Sequence, residues 1–103
     1  MKRFAIFLAV AATIPASLPV SASEDLAKKH ACLACHASDK KLVGPSYKEV
    51  AAKYRNDGAA EGKLVDKVKK GSQGTWGQVP MPPNASVPDG DARALVKWIL
   101  SQK

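Results

Sequence analysis

The chain has 103 residues, with 16 lysines and arginines against 9 aspartates and glutamates, a formal net charge of +7 and two cysteines. That length limits it to one domain with a small core, of a size that commonly needs disulfides, metals or cofactors for stability. Two cysteines exclude a dense disulfide framework, so something else is expected to fill the core.

The chain begins like a secretory leader. Lys2 and Arg3 form a charged start, Phe4 to Ile14 is an unbroken run of apolar and small residues, and Pro15 ends it. Val20-Ser21-Ala22 places small residues where a signal peptidase reads them, so the cut is expected after Ala22. Residues 1–22 are thus read as a signal peptide and 23–103 as the domain. The apolar run is too short to cross a bilayer, which takes about 20 helical residues. An uncleaved anchor is the alternative, and the small-residue pattern at the expected distance argues against it. Removing residues 1–22 of the 103 leaves 81 and, with Lys2 and Arg3 gone, lowers the charge from +7 to +5. Export to the periplasm argues against nucleic acid as a partner. A basic exported domain suits acidic protein surfaces, where charge mainly speeds encounter, although some lysines simply solvate the fold.

No repeat, low-complexity tract or linker divides the remainder. Glu24 and Asp25 suit the first turn of a helix that runs toward the cysteines, with Leu26 and Ala27 on its apolar side. Ser46-Tyr47-Lys48-Glu49 is a capping box just after Pro45. Tyr47, Val50, Ala51 and Tyr54 follow at the spacing of one helical face, and Asn56-Asp57-Gly58 ends that helix. A third helix is expected over Ala59 to Lys70, with Leu64, Val65 and Val68 inward and Gly71 as its C-terminal cap. Gly71 to Pro83 is a loop rich in glycine and proline. Ser86 reads as the N-cap of a last helix, with Pro88 in its first turn and Ala92, Leu95, Trp98 and Ile99 on its inner face. Period-2 alternation is absent, so the fold class is all-α, four short helices and an extended loop.

The strongest chemical signal is Cys32-Leu33-Ala34-Cys35-His36, the C-x-x-C-H attachment signature of c-type haem. Cys32 and Cys35 lie about one helical turn apart, so both sulfurs reach the vinyl groups on one porphyrin edge. His36 then comes under the ring as an axial ligand. The alternatives are a dithiol redox pair, a structural zinc site and a plain disulfide. The first normally accompanies a βαβ pattern, which is absent, and the second usually needs four ligands where only Cys32, Cys35, His30 and His36 are available, all within seven residues. His30 is expected at the surface or against the haem edge.

A second axial ligand must come from elsewhere. The soft thioether of methionine is the usual partner of histidine in electron-transfer haem sites. Once a leader is removed, Met81 is the only methionine left. It lies in Val79-Pro80-Met81-Pro82-Pro83-Asn84, a polar, proline-rich stretch unsuited to an ordinary core methionine.

These features together resemble the small bacterial class I monohaem cytochromes c, of the cytochrome c-551 type. The resemblance rests on the haem motif, Lys41 to Tyr54, Gly71 to Asn84 and the closing Ala94 to Lys103. It implies the class I cytochrome c fold, four helices wrapped around one covalent haem c. Pro45 would offer its carbonyl to the Nδ1–H of His36. Ser72, Lys67 and Trp76 would lie near the haem propionates, and Asn84 near the Met81 sulfur. The first and last helices would cross, with Leu26 meeting Leu95 and Trp98. Trp98 suits core packing. Around Ala85 to Asp91 the match to the family is loose.

The implied function is that of a monomeric one-electron carrier, not an enzyme, serving periplasmic respiration. The implied partners are nitrite reductase, cytochrome c peroxidase, a terminal oxidase or quinol–cytochrome c reductase. Lys28, Lys29, Lys40, Lys41, Lys48 and Lys53 are candidates for guiding the encounter. A peroxidase-like catalyst would need an open iron position and a distal acid–base residue, and a gas sensor would need a signalling domain; the sequence supplies neither.

Overall fold

The computed structural model of the protein describes residues 5, 8–11 and 20–103. The expected leader lies largely outside the described residues. Four helices follow in order: α1 (Val20–Lys29), α2 (Tyr47–Tyr54), α3 (Ala60–Lys70) and α4 (Asp89–Leu100), with a 3-10 turn at Cys32–Ala34 between the first two. Among the described residues there is no strand, only two isolated antiparallel bridges, His36 with Lys41 and Ser72 with Met81. None of the described helices is long and apolar enough to cross a membrane. The all-α expectation holds.

Local sequence explains the start of α2 and the end of α3. Ser46 caps α2: its side chain accepts from the Glu49 N–H at 3.1 Å while Glu49 Oε2 accepts from the Ser46 N–H at 3.2 Å. Two N–H groups that the helix itself cannot pair are thereby satisfied. Gly71 ends α3, its N–H returning to the Lys67 carbonyl at 2.8 Å.

Three expectations are corrected. The first helix starts at Val20, so Glu24 and Asp25 fall beyond its first turn. Ser86 is not the N-cap of α4. Pro88 holds that position, with an extended backbone and no side-chain cap bond. Val87 is drawn into the core at 2 % exposure, which leaves Ser86 outside and shifts the start. His30 is not free at the surface and is mostly buried. Its Nε2 meets Asp91 Oδ2 at 3.0 Å, tying the end of α1 to the first turn of α4.

Helix α4 is the hub, because α1, α2 and α3 each pack on it. Its buried side chains divide between two clusters. Leu95, Ala92 and Trp98 join Ala27, Tyr47 and Val87, with Leu26 packed against them. Val96 joins Val50, Tyr54, Ala60 and Leu64. Val65, Val68 and Ile99 touch both clusters.

The Ser46 cap generates a test. Ser46→Ala should lower the stability of the folded protein by about 1 kcal/mol, the usual cost of losing an N-cap. Urea titration followed by the helical circular-dichroism signal measures it. A loss below a few tenths of a kcal/mol would show that α2 does not depend on its cap.

Candidate functional site

One cavity of about 820 Å³ opens between the helices and the 71–83 loop. The 3-10 turn contributes Cys32, and Cys35 and His36 follow it directly. Leu64 and Val68 of α3 and Leu95, Val96 and Ile99 of α4 form apolar walls. The loop contributes Ser72, Trp76 and Met81. Most of the expected site residues therefore meet in one place, since Pro45 and Lys67 line the same cavity.

The turn that carries the cysteines is bolted to the start of α2. Ala31 takes a left-handed backbone (φ 59°) as the chain leaves α1. Gly44 N–H then donates to the Cys35 carbonyl at 2.8 Å, and Tyr47 N–H to the Ala37 carbonyl at 2.9 Å. This brings Pro45 to His36, whose Nδ1 lies 2.7 Å from the Pro45 carbonyl oxygen. A carbonyl only accepts, so Nδ1 carries the hydrogen and the Nε2 lone pair is left for a metal. Tyr47 stacks on the imidazole at a centroid distance of 5.3 Å and an interplanar angle of 20°. The Tyr47 hydroxyl is buried without a hydrogen-bond partner among the described residues. Burial, and secondarily the charge a Cys32 thiolate would carry, raise its pKa, so the phenol is a neutral wall.

Gly44 was not singled out in the sequence, yet it sets how closely the chain approaches His36. A Cβ at Gly44 would lie 2.6 Å from the imidazole Cε1 and 3.0 Å from Nδ1. No local signal marks this requirement, because the crowding comes from a residue eight positions earlier in the chain.

Cys32 and Cys35 are not joined as a disulfide. Burial pushes the Cys32 thiol up, opposed by a backbone hydrogen bond and assisted by the proximity of Cys35. That is the reverse of the activated thiolate a dithiol redox pair requires. Among the described residues no group of three or more His, Cys, Asp or Glu side chains could hold a metal ion by itself, so the zinc alternative has no ligand set. The residues fit a haem: the two cysteine sulfurs would attach the porphyrin, and the His36 imidazole and the Met81 thioether would ligate its iron, around an apolar cavity.

The remaining site residues are placed as follows. Lys67 Nζ donates to Thr75 Oγ1 at 2.9 Å. Trp76, 37 % exposed, stands at the rim with Lys53 Nζ 5.1 Å from its ring centroid, a cation–π contact. Ser72 is paired through its backbone with Met81. Asn84 is outside the cavity lining, and its side-chain amide donates to the Pro82 carbonyl at 3.2 Å. Leu42, Val43 and Val79, all exposed, complete the rim.

The chain resembles known proteins over most of its length. The Cytochrome c family model matches residues 20–103. The chain is 56 % identical over 80 residues to cytochrome c-551 of Pseudomonas aeruginosa, covering 78 % of this chain and 76 % of that protein. It is 60 % identical over 75 residues to cytochrome c-551 of Allochromatium vinosum, covering 73 % and 80 %. The crystal structure of wild-type Nitrosomonas europaea cytochrome c552 superposes with a TM-score of 0.76 at 54 % identity, covering 78 % of this chain and 99 % of that one.

Gly44→Ala should destabilise the haem-loaded protein by about 1–3 kcal/mol, as overpacking does in a filled core. Gly58→Ala is the control, since a Cβ there meets nothing within 4 Å. Equal stabilities for the two variants, by thermal melting at the haem absorbance, would remove the close approach as a constraint.

Proposed function

Because the chain belongs to the cytochrome c family, whose members are electron carriers rather than enzymes, and binds one covalent haem c, we propose that it is a periplasmic one-electron carrier in which His36 and Met81 would ligate the iron. The observation that carries this reading is that Cys32, Cys35, His36 and Met81 line a single cavity. Residues 1–22 are the leader that exports it, and 23–103 are the working domain, which acts as a monomer.

When bound, the haem supplies one iron that alternates between Fe(II) and Fe(III). The chain keeps that exchange free of atom transfer. With the haem bound, one electron would arrive from a reduced partner protein and leave to an oxidised one, with no proton or bond moved in the protein. The Pro45 carbonyl fixes the His36 imidazole in one orientation. Leu64, Val68, Leu95, Val96 and Ile99 keep water off the buried side. Lys67 and Trp76 supply a cation and an indole N–H suited to the propionates, together with Ser72. Asn84 acts on Met81 through the loop backbone, given its bond to Pro82. The apolar rim of Leu42, Val43, Trp76 and Val79, with Lys41 and Lys53 beside it, suits small and transient encounters with acidic partners. Nitrite reductase, cytochrome c peroxidase, a terminal oxidase and quinol–cytochrome c reductase are the partner classes.

The oxidised protein is expected to show the weak far-red sulfur-to-iron absorption band, and Met81→Ala is expected to abolish it. Absence of the band in the wild type, together with free binding of added ligands, would overturn the carrier reading.

A further inference from the structure

The 79–84 strap is held at its middle by Ser72, just beyond α3, and at its end by Val68 in the last turn of α3. Pro80, Pro82 and Pro83 have no N–H, so Met81 carries the only backbone donor between residues 80 and 83. That N–H donates to the Ser72 carbonyl at 2.9 Å, and Ser72 N–H returns to the Met81 carbonyl at 3.0 Å. Asn84 N–H donates to the Val68 carbonyl at 2.9 Å. Val68 belongs to the last turn of α3, whose carbonyls have no partner within the helix. The strap thus caps α3, and α3 fixes the strap.

Gly71 makes this mutual cap possible. Its backbone has φ +78° and ψ 179°, a conformation essentially restricted to glycine. A Cβ there would lie 2.5 Å from the Met81 carbonyl oxygen and 3.0 Å from the Pro83 nitrogen. Both are backbone atoms of the strap, so no side chain can swing aside to relieve the crowding. The prolines stiffen the strap but supply none of these bonds.

We propose that Gly71 is a positioning residue for the sixth iron ligand. Met81 is held at the iron by the α3–strap clamp, and the ligand lets go when that clamp opens. This rests on the reading that Met81 ligates the iron.

The test uses the haem-loaded, oxidised protein and imidazole as the competing ligand. Hydrogen exchange of the Ser72, Met81 and Asn84 amides reports clamp opening, and imidazole capture reports release of the sulfur. Gly71→Ala should speed capture and exchange together, by roughly tenfold or more. Gly74→Ala is the control: it has the same backbone sign, φ +77°, with nothing within 4 Å of a Cβ. It should leave both rates nearer to wild type. Unchanged imidazole capture in Gly71→Ala, or equal acceleration in Gly74→Ala, overturns the proposal. Should Gly71→Ala not fold, the wild type decides. Urea should then change imidazole capture and Met81 amide exchange by the same factor, and divergence of the two overturns the clamp. A wild type with no sulfur-to-iron band would instead refute Met81 ligation, while the exchange of the three amides would still be measurable.

Discussion

The hydrogen bond from His36 Nδ1–H to the Pro45 carbonyl, at 2.7 Å, is the constraint on which the site depends. It fixes the imidazole and leaves Nε2 for a metal. Its position is set by its neighbours on both sides. Pro45 immediately precedes the Ser46 cap, so the start of α2 places the acceptor. Gly44 lets the chain press against the ring, and Tyr47 stacks on the same imidazole. Tyr47 in turn meets Trp98 edge-on at 5.3 Å, which passes the placement on to α4. Disturbing any of these contacts shifts the ligand.

The second half of the site is arranged by the same logic with different parts. There the end of a helix, rather than its start, presents the backbone groups. The unpaired carbonyls of α3 need donors, and the Met81 strap supplies one of them through Asn84. In both halves a glycine allows backbone to approach where a side chain would collide, Gly44 against a ring and Gly71 against a carbonyl. Each helix end is thus completed by the segment that carries a ligand.

What could be read from the sequence was what is local. The Ser46–Glu49 box, the end of α3 at Gly71, the C-x-x-C-H turn and the lone candidate methionine each have their cause within a few residues. What could not be read depends on residues brought together by folding. His30 offers no local hint that its partner is Asp91, on another helix. Lys67 was expected near a propionate, but its bond to Thr75 follows from how the loop returns over α3. Ser86 had the right chemistry for an N-cap, yet burial of the adjacent Val87 outweighed it. The bond from Asn84 to Pro82 likewise reflects the path of the strap, which residue type alone does not determine.

The two core clusters meet around a cavity of about 820 Å³, in a domain too small to tolerate such a space unfilled. The covalently attached group therefore completes the core. Scanning calorimetry of the exported Cys32→Ala/Cys35→Ala chain decides this. No cooperative heat-absorption peak is expected, because the chain without its attachment sites stays largely unfolded. A compact chain that melts in one cooperative transition would contradict it.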